Sequence, residues 1–252
     1  ASPYASLQRL PEEPRAKREM ELSPRLRLLA DWVRPGSKVA DVGTDHAYLP
    51  VWLVLHGRVS SAIASDLRKG PIQRARENCR RHGTDGVDCR LCDGLSGIEP
   101  EEADTVIIAG MGGENIAAIL AAAPWTKNGA HTLLLQPMSR DAALRRFLAE
   151  NGYVILREAL TCERGSYLPV MEVTAGEMKL TEGELYGGVK MLHDPLGDRY
   201  LIQAILRFQS AVAGLNRSSS PMDREKADGL RDILTQLMNM REEWRHANCA
   251  GN

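Results

Sequence analysis

Three features of the chain predict an α/β fold with a helical appendage. From Leu22 to about Thr174, short β-rich runs alternate with helical patterns, which implies right-handed crossovers and a mostly parallel sheet covered on both faces. The last two β-rich runs are joined only by "TCERGS", too short for a crossover helix, so the sheet should end in an antiparallel hairpin. Beyond residue 175 the apolar spacing changes to steps of three and four, as in helices that pack on each other.

Strands are expected over 38–42, 61–66, 87–92, 105–109, 132–136, 153–159 and 167–173. Helices are expected over 24–33, 48–56, 70–82, 114–122 and 141–150. Past "AGEMKLTEGELYGG", Leu201, Ile205, Phe208, Val212 and Leu215 form one apolar stripe, and Leu230, Ile233, Leu237, Met240 and Trp244 form another. The break "NRSSSPMD" between them predicts an antiparallel helical hairpin, each arm of about 20 residues reaching roughly 30 Å. The domains expected are an extension over 1–20, a Rossmann-like domain over 21–175 and a coiled-coil domain over 176–252. Five βα units closed by a hairpin are the ground plan of class I methyltransferases, whereas dinucleotide-binding domains usually stay parallel.

Composition sets the outer bounds. The 252 residues are 43% hydrophobic and 26% charged, with a formal charge of -1, so any attraction to nucleic acid must be local. Apolar runs such as Val106-Ile107-Ile108-Ala109 are strand-sized, so no membrane span is expected. The first 20 residues lack the apolar core of a signal peptide, and the missing initial Met fits trimming. Five cysteines without such a signal suit a reducing cytoplasm. Cys89-x-x-Cys92 has no second pair to complete a zinc site, and no metal is expected.

Ligands of open α/β sheets bind at the carboxyl ends of the strands, so the residues there are informative. The first strand ends Asp41-Val42-Gly43 and the second Ser65-Asp66, followed by Leu67. The third ends Cys92-Asp93-Gly94, the fourth Ala109-Gly110-Met111-Gly112-Gly113 and the fifth Gln136-Pro137-Met138. Asp66 is placed to accept ribose hydroxyls, and Asp93 to accept from an adenine amine between apolar neighbours. Gly43 and Gly110 allow close backbone approach. With one glycine in its first loop, the chain accommodates a pyrophosphate poorly. S-Adenosylmethionine carries a sulfonium instead of phosphates, and the acidic loop containing Asp41 and Asp45 suits that charge. A bland alternative is that each Asp caps the helix that follows.

The segments "LSPRL", "ADVGTDHAYLP", "DLRKGPIQRARENC", "DGL", "IAGMGGENIAAIL" and "LLLQPM" come in the order and spacing of bacterial TrmK-type proteins. The chain thus resembles tRNA (adenine-22-N1)-methyltransferases, by motif over about residues 20–175 and by architecture beyond. It departs from their pattern at Thr44, where Ser is usual, and at Leu168, where Glu is usual.

The resemblance implies S-adenosylmethionine as cofactor and tRNA as substrate. Adenine N1 has an in-plane lone pair, so transfer needs no prior deprotonation, but the base must be exposed and the cationic product tolerated. Asp45 is the first candidate to stabilise that charge, and Tyr48 to stack on or hydrogen-bond the base. The resemblance also implies His46 at the methionine end of the cofactor, Arg25 over it from the N-terminal helix, and Leu67, Gly94, Ala109 and Met111 along it. Backbone charge would bind the RNA. Residues 68–90 hold seven Lys/Arg against three acids. Candidate contacts are Arg68, Lys69, Arg74, Arg76 and Arg80, with Arg140 and Arg145 after the fifth strand; Arg146 and the cluster Arg15, Lys17 and Arg18 add to them. A monomer is favoured over self-association through the hairpin. Two rivals stay open: a class I methyltransferase for another RNA site or a small molecule, and a non-catalytic nucleotide-responsive binding protein.

Overall fold

The computed structural model describes residues 20–249, so Arg15, Lys17 and Arg18 and the expected extension before Met20 lie outside the described residues. The N-terminal part runs α1 (Pro24–Trp32), β1 (Val39–Val42), α2 (Tyr48–Leu55), β2 (Ala62–Asp66), α3 (Lys69–His82), β3 (Val87–Leu91), β4 (Thr105–Gly112), α4 (Gly113–Ala121), β5 (Thr132–Ser139), α5 (Asp141–Glu150), β6 (Tyr153–Glu163) and β7 (Ser166–Ala175). The sheet order is β3-β2-β1-β4-β5-β7-β6. β1 to β5 are parallel, and β7 lies antiparallel between β5 and β6.

Both faces of the sheet are covered, which is why β1 and β2 are buried along their whole length. One face packs Val42, Ile108 and Leu135 against Ile116 and Leu120 of α4 and Leu144 and Leu148 of α5. The other packs Val39, Ile107 and Leu134 against Leu29 and Ala30 of α1 and Leu49 and Leu53 of α2. Among the described residues no helix is long and apolar enough to cross a membrane.

Several strand ends differ from the sequence expectation, those of β6, β7, β4 and β5 for local reasons. Most of "TCERGS" is strand, because Arg164 (φ 49°) and Gly165 (φ 77°) alone make the turn. Two consecutive left-handed residues match the twist of the flanking strands. β4 and β5 run on past residues 109 and 136, through register shifts that pair Met111 with Pro137 and Gly112 with Ser139. Those irregularities re-aim the backbone at the end of the sheet.

The remaining chain forms α6 (Glu182–Gly187), α7 (Gly197–Asn216) and α8 (Pro221–Cys249). Leu201, Ile205 and Phe208 of α7 cluster with Leu230, Ile233, Leu237, Met240 and Trp244 of α8, so the two predicted stripes face each other. α8, at 29 residues, is longer than the expected arm and reaches roughly 44 Å. α6 was not expected. It starts with a reciprocal capping box between Thr181 and Glu184.

Arg145 corrects another expectation. It is not on the RNA-facing surface but wholly buried where α5, β6, α6 and α7 meet. Its Nε donates to Glu158 Oε1 at 3.0 Å, Nη1 to the Leu185 carbonyl at 2.6 Å and Nη2 to the Tyr200 hydroxyl at 2.9 Å. Glu158 Oε2 accepts from the Val189 amide at 2.8 Å. Burial opposes the guanidinium charge, but the Glu158 carboxylate, with Tyr200 and Asp141, outweighs it and holds the Arg145 pKa above its usual value. A cation this deeply enclosed persists only because its donors are satisfied.

Candidate cofactor and base site

The carboxyl ends of the parallel strands lie side by side, with Val42 in register with Ser65 on one side and Ile108 on the other. After β1 the chain turns through Gly43 (φ 73°), and the Gly43 and Thr44 amides donate to the Ser65 carbonyl at 2.8 and 2.9 Å. Asp45 (φ 52°) and Ala47 (φ 56°) then adopt left-handed conformations. Such positions cost of order 1–3 kcal/mol and cluster where a side chain must be aimed. The result is a loop pinned by its main chain that presents Asp45, His46 and Tyr48 at the mouth of the site.

Asp41 is nearly closed off, at 6% exposure, and accepts from the Thr44 hydroxyl at 2.6 Å. Burial pushes its carboxyl up to about 7, against the Thr44 hydrogen bond and the nearby Arg25, while Asp66 adds to the rise. Asp66, 5% exposed, accepts from the Arg68 amide at 3.0 Å and the Asp45 amide at 3.4 Å. Among the described residues the adjacent Ser65 hydroxyl is buried with no hydrogen-bond partner. A carboxyl held above its ordinary range and an unpartnered hydroxyl beside a second acid suit a ligand that carries a cation and hydroxyl groups. These residues therefore fit S-adenosylmethionine.

The glycines of "AGMGG" have different tasks. Gly110 (φ 78°) lies under the Arg25 guanidinium, which would come within 3.3 Å of a Cβ there. A Cβ on Gly113 would meet the Arg140 carbonyl oxygen at 2.2 Å, so α4 can start there only without a side chain. Met111 reaches over the first loop, its Cε 2.6 Å from a Cβ placed on Gly43. Ala109 is half-buried below them, and Leu67, beyond β2, is well exposed. Asp93 is exposed and Gly94 is left-handed at φ 54°. Beside them opens a cavity of about 560 Å³, lined among others by Leu95, Ile98, Ile119 and Trp125.

At the mouth, the His46 and Tyr48 rings stack with centroids 5.1 Å apart, and Tyr48 is 43% exposed. Asp45 Oδ1 accepts from Arg74 Nη2 at 2.8 Å, and Oδ2 lies 3.7 Å from His46 Nε2. Arg25 is anchored from far along the chain. Its amide donates to Glu163 at 2.9 Å, and its Nη1 to Gln136 Oε1 at 3.3 Å. Gln136, fully buried, also accepts from the Gly110 amide at 3.2 Å.

Sequence reasoning named neither Gln136 nor Glu163 as a site residue. The "QPM" at the end of the fifth strand was a signal for Gln136. Glu163, at a hairpin turn, carried none.

Of the expected RNA-facing residues, Lys69 and Arg80 are exposed on α3. Arg68 Nε lies 3.5 Å from Asp66, Arg76 donates to the Cys89 carbonyl at 3.3 Å, and Arg140 pairs with Glu114 at 3.0 Å. Arg146 pairs with Glu182. Arg90 belongs to a local ion pair with Asp88 and Glu102, each at 2.8 Å. Cys89 packs beside Cys79 in an apolar cluster, and Cys92 donates to the Gly94 carbonyl. Among the described residues no group of three or more His, Cys, Asp or Glu could hold a metal ion.

Residues 22–171 match the family model described as a methyltransferase domain. The tRNA (adenine(22)-N(1))-methyltransferase of Bacillus subtilis (strain 168) is 37% identical over 160 residues, 63% of this chain and 67% of that protein. The crystal structure of the B. subtilis m1A22 tRNA methyltransferase TrmK superposes with a TM-score of 0.81 at 29% identity, over 88% of this chain and 100% of that one. The Streptococcus pneumoniae protein Sp1610, solved in complex with S-adenosyl-L-methionine, superposes with a TM-score of 0.77 at 31% identity, over 88% and 100%. With the parallel sheet closed by β6 and β7, and the helical hairpin behind it, the chain belongs to the TrmK-type family of class I methyltransferases.

Proposed function

We propose that the protein transfers a methyl group from S-adenosylmethionine to N1 of adenine 22 in tRNA. The end of β1 and the turn into α2 carry this reading: they set a buried acid, Asp41, behind an exposed acid and a stacked ring pair, Asp45, His46 and Tyr48. One short stretch thereby spans a cofactor face and a base face. The names of the matched relatives point to the same reaction and position.

S-Adenosylmethionine supplies a methyl group activated on a sulfonium. Asp41, backed by Thr44, faces the positive end of the cofactor, and Asp66 accepts from its ribose. Asp93 accepts from its adenine amine, while Leu67, Gly94, Ala109 and Met111 enclose the nucleoside. Gly43 and Gly110 permit the approach, and His46 and Arg25 flank the methionine end. Tyr48 stacks on or hydrogen-bonds the acceptor base. Asp45 accepts from its 6-amino group and stabilises the charge that the ring gains as N1 is methylated.

Lys69, Arg80 and the outer edges of Arg68 and Arg76 offer the RNA backbone a basic face. Arg140, Arg146 and Arg207 line a separate groove of about 500 Å³ between α5 and the α7–α8 hairpin, on the other face of the sheet from α3, and offer the RNA a second contact. The division into domains over 21–175 and 176–252, a cytoplasmic location and a monomeric state complete the proposal.

The test combines purified protein, unmodified tRNA and isotopically labelled S-adenosylmethionine, followed by nuclease digestion and mass spectrometry. Label in 1-methyladenosine from position 22 is the expected result. Transfer to another site or to a small molecule alone overturns it, and so does cofactor binding without transfer to any RNA.

A further inference from the structure

We propose that Arg74 is a positioning residue for Asp45, aiming its carboxylate at the acceptor base rather than holding an RNA phosphate; this rests on the role proposed for Asp45. Arg74 lies on α3, whose buried face of Ile72, Ala75, Asn78 and Cys79 fixes how the helix sits. Arg74 and Asn78 are one turn apart on that helix and both reach the loop after β1. Asn78 Nδ2 donates to the His46 carbonyl at 2.9 Å and holds the main chain. Arg74 Nη2 donates to Asp45 Oδ1 at 2.8 Å and holds the side chain.

Asp45 needs such a hold. Its left-handed backbone throws the side chain outward, and its exposure of 53% leaves the carboxylate free to turn about χ1 and χ2. With Oδ1 engaged by Arg74, Oδ2 is left on the side of His46 and Tyr48, where the base must enter. A carboxylate that rotates away contributes nothing to the transition state, so a fixed rotamer appears in turnover and not in substrate affinity. A phosphate contact has the opposite signature. It acts on affinity and on the salt dependence of binding, with log K changing by about 0.7–0.9 per contact for each decade of salt.

Four variants separate these outcomes: Arg74→Met, Arg74→Lys, Asp45→Asn and Arg74→Met with Asp45→Asn. Each is assayed for single-turnover methylation of a tRNA transcript, for tRNA affinity across a salt series and for thermal melting. Arg74→Met should slow turnover ten- to hundredfold while tRNA affinity and its salt slope stay at wild-type values. Arg74→Lys should recover a large part of the loss, and the double variant should be no slower than Asp45→Asn alone. Weaker tRNA binding with a shallower salt slope and unchanged turnover overturns the proposal and makes Arg74 a phosphate contact. Additive losses in the double variant, with Asp45→Asn slow, also overturn it while leaving the Asp45 role standing. Wild-type turnover in Asp45→Asn removes the Asp45 role itself.

Discussion

Arg145 donates through Nε to Glu158 at 3.0 Å, with both side chains sealed from solvent. Together with Tyr200 and the Leu185 carbonyl, this pair joins the sheet to the C-terminal helices. Arg145→Met and Glu158→Gln should each destabilise the protein by about 3–5 kcal/mol, because each leaves an uncompensated buried group. Denaturant unfolding measures the loss. Near-wild-type stability in Arg145→Met would show that the pair does not support the junction.

Asp66 should matter to affinity more than to folding. Charge-assisted hydrogen bonds are worth about 1.5–3 kcal/mol, so Asp66→Ala should weaken S-adenosylmethionine binding roughly 10- to 150-fold. Calorimetry reads this directly. An unchanged affinity removes Asp66 from the ribose.

Asp41 gives the protein a pH signature. Its carboxyl is raised by burial from an ordinary 3.8 to about 7, so between those values the folded state holds a proton that the unfolded state has lost. Stability without cofactor therefore falls as pH rises from about 4 to about 7. Asp41→Asn should flatten that fall and raise the melting temperature at pH 8. Cofactor binding, which needs the anion, should tighten as pH approaches 7, by up to about tenfold per unit, and lose this dependence in Asp41→Asn. Parallel pH profiles for the two proteins would contradict the assignment.

Gly113 should not tolerate a methyl group. The contact at 2.2 Å is with the backbone of Arg140 and cannot be relieved by a rotamer change. Gly113→Ala should cost about 1–3 kcal/mol, as overpacking does. Gly112→Ala, whose nearest neighbour would be the Ser139 hydroxyl at 3.4 Å, is the matched control and should melt close to wild type.

The strand and helix alternation was legible because both periods are local, and the first-loop acids were legible because strand ends are where such sheets bind ligands. Arg145 was misread. It sits next to the buried pair Leu144 and Leu148 on α5, and the Glu158 that makes its burial tolerable lies on another element. Arg74 was read as one of a basic run, and nothing in that run announces its contact with Asp45, 29 residues earlier. α6 was within reach, because its Thr181-x-x-Glu184 cap is a sequence signal. Its six residues were too few to show a period.

The tie between Arg25 and Glu163 also bears on how the chain is made. The two residues are 138 positions apart, and Leu29, Ala30 and Val33 pack with Leu134 and Val170. Although α2 covers part of it earlier, α1 therefore lacks most of its seat until β5, β6 and β7 have followed. At about 5–20 residues per second, that is roughly 7–28 s of synthesis with the rest of its apolar face uncovered. During that interval the nascent chain is most exposed to chaperones and to misassembly, and the latch that completes the cofactor site is among the last to engage.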